Sequence, residues 1–176
     1  MRSFNLCPST LLVRADVRAE VLQLVPHAGA FCFVVIEAGT CRILNDKCQW
    51  AEAAHSAPPK LRGKTFLVAF LASPVVVLQS TRGVTPHVLT SLIDERKAVR
   101  KRQAAETDPV QEQVLDALQK SIKVGANSVY GAFGADFGDM RCKEIAALTT
   151  FLGRWMLGRT KEIAETRGAV VIYGDT

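Results

Sequence analysis

GVTPHVLTSLIDERKAVRKRQAAETDPVQEQVLDALQKSIKVGANSVYG, residues 83–131, carries the clearest folding signals in the chain. Thr85-Pro86 reads as a helix N-cap followed by proline at the first helical position. A helix is expected from there towards Ala105. Glu106-Thr107 makes a short turn, and Asp108-Pro109 repeats the cap-and-proline signal. Gln111 stands where a capping box takes Glu or Gln. A second helix follows to about Tyr130, and so short a link makes the pair antiparallel. Within it Val114, Leu115, Leu118, Ile122, Ala126 and Val129 recur at three- and four-residue steps as one apolar stripe.

Lys123, Asn127 and Tyr130 share a neighbouring face of the second helix, because steps of four and three return to the same side. A cation, an amide and an aromatic in one line can grip a phosphate, orient it and stack on a base or sugar; solvated polar faces look similar. The first helix adds Arg96, Lys97, Arg100, Lys101 and Arg102. Alone, that cluster reads as a solvated basic helix end. Folding the two helices antiparallel about Thr107 changes its meaning. Arg96 comes level with residue 118 or 119, and Lys123 lies about a turn away at ~1.5 Å rise per residue. Like charges this close repel unless an anion lies between them. A triphosphate fits, its non-bridging oxygens gripped by guanidinium forks.

Upstream of the hairpin, FCFVVIE (31–37), TFLVAFL (65–71) and PVVVLQS (74–80) are rich in Val and Phe and predict strands. Between the first two, AEAAHSAPPKLRGK (51–64) reads as a loop on its Pro58-Pro59 and Gly63. Downstream, GAFGADFGDM (131–140) predicts a loop and Glu144 to Thr166 a helix ended by Gly168. AVVIY (169–173) is a strand candidate. The glycines of the loop spell neither GxGxxG nor GxxxxGK, which argues against a dinucleotide or Walker site.

The chain has 176 residues, is 48% hydrophobic and carries a formal charge of +5, enough for one ordinary core and suited to a polyanionic partner. Its longest apolar run, from Thr65 to Leu78, is interrupted by Ser73 and Pro74 and is too short for a membrane span. A soluble protein is expected. MRSFNLCPST has no continuous apolar stretch, so no signal peptide is read there, and the five cysteines are expected to be reduced intracellular thiols. A zinc site from Cys32, Cys41, Cys48 and His55 matches no common spacing; buried free cysteines are the simpler reading. His27, His55 and His87 are scattered, and Trp50 and Trp155 read as core residues.

KVGANSVYG (123–131) resembles the fingers motif of family B DNA polymerases: lysine, three residues, then Asn-Ser-x-Tyr-Gly. VIYGDT (171–176) resembles the start of their palm carboxylate motif, Tyr-Gly-Asp-Thr-Asp-Ser. GVTPHVLTSLIDERKAVRKRQAAETDP (83–109) is similar to the delta-type enzymes, with a Gly-x-x-Pro start, an Arg-Lys pair and Thr-Asp-Pro at the turn. SFNLCPSTLL (3–12) resembles the His-Asn-Leu-Cys segment that follows the first catalytic motif. Residues 14–82 give no clear match. The resemblance implies an α+β fold: a palm sheet with helices, interrupted by an antiparallel helical hairpin of fingers. Palm would occupy 1–82 and 132–176, and fingers 83–131.

Carried over by position, the resemblance implies that Arg96, Arg100 and Lys123 hold the triphosphate of an incoming nucleotide, with Asn127 near the same phosphates. Tyr130 would lie beneath the nascent base pair, and Gly131 would let the backbone approach closely. Asp175 would stand beside the magnesium site. Arg100 departs mildly, since lysine is commoner there. The second palm aspartate and the first motif's aspartate are not in this sequence, so the chain is expected to be an inactive piece of a DNA-directed DNA polymerase. Its implied partners are a DNA primer-template, deoxynucleoside triphosphates and a candidate processivity factor, with no membrane. The setting would be a nucleus or a cytoplasmic viral replication site, and divergence over 131–157 points to a large DNA virus. A non-catalytic basic module that binds nucleic-acid backbone is the alternative.

Overall fold

Five strands form one antiparallel sheet: β1 Phe31–Glu37, β2 Thr40–Asn45, β3 Trp50–Glu52, β4 Lys64–Phe70 and β5 Pro74–Leu78. Their order is β3-β2-β1-β4-β5. The computed structural model describes residues 4–11, 15–25, 30–37, 40–53 and 56–175. In register, Val34 faces Ile43 on one side and Phe66 on the other, and Val68 faces Val76. Alternation along β1 sends Cys32, Val34 and Ile36 to one face and Phe31 and Phe33 to the other. The first face is buried with Val21 and Leu24, from helix α1 (Ala15–Gln23) and its end, and with Leu61. The second is buried with Phe133, Ile145, Leu148 and Leu152. Cover on both faces explains why β1 and β4 read as near-continuous apolar runs rather than as alternating ones.

Three long helices follow: α2 Val84–Ala104, α3 Pro109–Gly134 and α4 Lys143–Thr166. α2 packs along α3, and α3 against α4. Phe31 on β1 meets Trp155 of α4 edge-on, with ring centres 4.8 Å apart, and Phe151 at 6.3 Å. These contacts fix α4 to the sheet. The described residues therefore make a mixed α+β fold with a five-stranded antiparallel sheet and four α-helices.

Several expectations are corrected. Thr85-Pro86 does not open α2: the cap is Gly83, with Thr85 and Pro86 already inside the helix. The start shifts because residues 5–9 supply the acceptors that a local cap would otherwise provide. α3 continues past Tyr130 to Gly134, so Gly131 is helical, and the loop that follows starts at residue 135. The apolar stripe of α3 divides: Leu115 is buried, whereas Val114 and Leu118 are exposed. Residues 169–173 form no strand. They run back beside α4, where Val171 and Ile172 line one hollow with Leu157, Lys161 and Ala164.

α1, β2 and β3 went unread in the sequence. Trp155 packs in the core as expected, but Trp50 is 53% exposed on the edge strand, with the Arg42 guanidinium 4.6 Å from its ring centre. His87 is exposed on α2, and His27 and His55 lie outside the described residues. No helix among the described residues is long and apolar enough to cross a membrane.

Gly83 sits where a side chain has no room: an added Cβ would lie 2.6 Å from Cys7 Cβ. Overpacking of this kind costs about 1–3 kcal/mol. Gly83→Ala is therefore expected to lower the thermal unfolding midpoint, read by circular dichroism, while Gly125→Ala, in open space, leaves it unchanged or raised.

Candidate functional site

The hairpin closes on a built turn. Asp108 Oδ1 accepts from Val110 N at 2.9 Å, as expected of an N-cap before Pro109. The reciprocal acceptor is not Gln111. Glu106 Oε1 takes the amides of Thr107 at 2.9 Å and Asp108 at 3.2 Å. Those bonds, led by the one from Asp108, hold the Glu106 carboxyl below its ordinary range.

With the turn fixed, the register of the two helices follows. Arg96 Nε donates to Gln119 Oε1 at 3.1 Å, which places Arg96 level with residue 119 as the sequence predicts. Gln119 Nε2 in turn donates to Asp116 Oδ1 at 3.0 Å, and Lys120 Nζ reaches Asp116 Oδ2 at 2.6 Å. The hydrogen bond from Lys120, then that from Gln119, holds the Asp116 carboxyl below its usual range. Lys97 pairs with Asp94 at 3.1 Å. The cations thus divide into two sets. Lys97 and Lys120 have acidic partners, and half-buried Arg96 is oriented by a neutral amide. Arg100 and Lys123 are exposed and ion-pair with no carboxylate among the described residues.

In an antiparallel pair with 96 level with 119, Lys123 stands opposite residue 92. It lies about 6 Å along the axis from Arg96, and Arg100 lies a turn further towards the tip. Asn127 and Tyr130 continue the line of Lys123 towards the base of α3, and both are exposed. Tyr130 also docks: its hydroxyl lies 2.7 Å from Thr150 Oγ1 on α4. A Cβ on Gly131 would meet no protein atom within 4 Å, so no neighbouring protein atom demands glycine there.

Asp175 is exposed at the end of the segment that returns along α4. There the neighbouring Gly174 touches Leu157: an added Cβ would lie 3.1 Å from Leu157 Cδ1. Thr150 and Leu157 are seven residues apart, hence on one side of α4 and about 10 Å apart along it. One helix side therefore receives both Tyr130 from α3 and the Gly174-Asp175 end.

A two-metal centre needs several carboxylates around one point. Among the described residues no three His, Cys, Asp or Glu side chains are grouped to hold an ion, so Asp175 alone does not build such a centre. The cysteine-based alternative fails on register. Cys41 faces Ile36, four residues along β1 from Cys32, a separation of about 13 Å at ~3.3 Å per residue. Zinc-bound sulfurs lie within ~2.3 Å of the metal. Burial pushes the Cys32 thiol up to about 12, as befits a core residue. Sequence reasoning missed Gln119, Asp116 and Thr150, which orient Arg96 and Tyr130. The three- and four-residue spacing of Asp116, Gln119 and Lys123 was the available signal.

The hairpin and the α4 side that gathers Tyr130 and Gly174 are the surroundings of the candidate residues, and comparison with known proteins gives the family. The chain belongs to DNA polymerase family B, whose pattern it matches over residues 1–176. It is 38% identical over 185 aligned residues to the DNA polymerase delta catalytic subunit of Arabidopsis thaliana, covering 100% of this chain and 13% of that protein. The bovine delta catalytic subunit is 42% identical over 104 residues, 54% of this chain and 9% of that protein. The DNA polymerase of Trichoplusia ni ascovirus 2c is 42% identical over 94 residues, 53% of this chain. The chain thus spans only a small part of these relatives' length.

The depressed Glu106 carboxyl stabilises the turn above its ordinary 4.5 and loses that contribution as pH falls through its lower folded value. In a pH titration followed by NMR, the Thr107 and Asp108 amide resonances are expected to move together with a midpoint below 4.5. A midpoint at or above it contradicts the assigned bonds.

Proposed function

We propose that this chain is the nucleotide-binding part of a DNA-directed DNA polymerase. In this reading residues 83–131 are fingers, and 1–82 and 132–176 are palm. The observation that carries it is the register in which Arg96, set by Gln119, stands one turn from Lys123, a cation without a carboxylate partner among the described residues. That arrangement leaves positive charge for a polyanion.

In the proposed reaction a deoxynucleoside triphosphate lies along the hairpin. Arg96 and Arg100 grip non-bridging phosphate oxygens, Lys123 neutralises charge on the same phosphates, and Asn127 donates to them. Tyr130, steadied by Thr150, presents its ring beneath the nascent base pair, and Gly131 leaves the backbone open beside it. Asp175 would contribute one carboxylate towards magnesium, and the ion, held with further carboxylates, would supply charge stabilisation at the reacting oxygens. The primer-template would run past the exposed side of α3. The relatives' identities support a delta-type or viral replication setting.

Two outcomes are expected. Titrated with magnesium-dATP, the chain should show amide shifts clustered at Arg96, Arg100, Lys123 and Asn127. Lys123→Ala should weaken this binding about tenfold or more while leaving duplex DNA binding nearly intact, since one charge-assisted phosphate contact is worth roughly 1.5–3 kcal/mol. Salt-sensitive DNA binding that ignores the triphosphate would instead favour a non-catalytic basic module. In primer extension the isolated chain should give no magnesium-dependent turnover, because among the described residues no three His, Cys, Asp or Glu side chains are grouped to hold an ion. Turnover would show that the chain builds a metal centre after all.

A further inference from the structure

The first turn of a helix leaves its leading N–H groups without intrahelical partners. In α2 these are the amides of Gly83, Val84 and Thr85; Pro86 has none. The cap residue satisfies none of them with a side chain of its own. One segment, 75 to 78 residues earlier in the chain, takes all three. Gly83 N donates to Asn5 Oδ1 at 2.8 Å, Val84 N to Ser9 Oγ at 3.3 Å, and Thr85 N to Cys7 Sγ at 3.3 Å. The Cys7 thiol also lies 3.2 Å from the Thr85 hydroxyl.

Asn5 does more than cap. Its Nδ2 donates to Leu78 O at 2.9 Å and Thr81 O at 2.7 Å. One side chain therefore joins the end of β5, the connection after it and the start of α2. It is 9% exposed, and both donors and the acceptor of its amide are in use. Its backbone is left-handed, φ 51°, a conformation asparagine tolerates better than most residues. Thr10 Oγ1 donates to its carbonyl at 2.8 Å, which holds the residue from the other side. Gly83 approaches Cys7 so closely that an added Cβ would lie 2.6 Å from Cys7 Cβ.

We infer that Asn5 is a positioning residue: it sets the direction in which α2 leaves the sheet, and thereby where Arg96 and Arg100 stand. The second clause rests on the triphosphate reading of those residues. A helix held at its first three amides by a folded segment has little freedom to tilt. Releasing Gly83 together with Leu78 and Thr81 removes the bonds that orient it relative to β5. The Ser9 and Cys7 bonds then remain, both at 3.3 Å.

The test uses the whole chain. Asn5→Gly keeps the left-handed backbone and removes all three side-chain bonds; Asn5→Asp keeps an acceptor for Gly83 N and loses the two donors. Amide exchange and residual dipolar couplings are read for both variants, and the magnesium-dATP dissociation constant beside them. In Asn5→Gly, exchange at Gly83 should quicken about tenfold. The α2 couplings should cease to fit the wild-type orientation to β1 and β4, and dATP should bind several-fold more weakly. Protection at Val34 and Val68 should stay unchanged. Asn5→Asp, which sets a second oxygen against the Leu78 and Thr81 carbonyls in place of a donor, should keep the Gly83 protection and lose the wild-type α2 orientation. Wild-type α2 couplings in Asn5→Gly overturn the inference, and so does a loss of protection spread evenly over the sheet. If Asn5→Gly fails to fold, Asn5→Asp decides, and wild-type α2 couplings in that variant overturn the inference. Couplings and exchange need no nucleotide. A wild-type chain that ignores dATP therefore sinks the reading of the site while the anchor is still judged on its own.

Discussion

The bond from Arg96 Nε to Gln119 Oε1 joins basic α2 to amphipathic α3 at the candidate site. An arginine facing solvent at this point would be one more surface cation, worth little and free to point anywhere. Held by a neutral amide that is itself held by Asp116, it keeps its charge and loses its freedom. Preorganised donors of this kind bind a polyanion without first paying to gather the side chains. The bond fits the register that the turn imposes on α2 and α3, in which Lys123 stands about one turn from Arg96.

Below the hairpin, α4 serves as a rail. Its sheet-facing side is pinned by Phe31 against Phe151 and Trp155. A second side receives the Tyr130 hydroxyl at Thr150 and Gly174 at Leu157. Two segments far apart in sequence are thus referred to one straight element that is itself fixed to the core. Phe133 adds a direct contact of α3 itself with the sheet core. Among the described residues, most side-chain hydrogen bonds between distant segments fall at the start of α2, where residues 4–10 meet residues 78–85.

Much of this was legible in the sequence because it is local. β1 was read at its observed bounds, and β4, β5 and α4 within a few residues, since their patterns depend on their own residues. The antiparallel hairpin and the level of Arg96 followed from the Asp108-Pro109 cap and a constant rise per residue. What failed was long-range. Thr85 resembles a cap, but the true acceptors arrive from residues 5–9. AVVIY has the composition of a strand, yet a strand needs a neighbour. The described strands pair with one another, the outer edge of β5 meets Leu11, and the segment lies along α4 instead. α1 is only weakly amphipathic, and β2 and β3 mix polar residues into short runs, so none of the three announced itself. At the site, the residue types and spacing pointed to a polyanion. The orienting partners Gln119, Asp116 and Thr150 became visible only with the helices packed.

The claim on which the account rests is that cations from α2 and α3 act on one ligand. A double-mutant cycle tests it most directly. Magnesium-dATP affinity is measured for the wild type, Arg96→Ala, Lys123→Ala and the pair, with helix content checked in each. Residues that share one ligand couple by roughly 0.5–3 kcal/mol, and independent ones add. The account predicts a double variant that binds measurably better than the sum of the two single losses allows. Strict additivity, or two single variants with wild-type affinity, would contradict it.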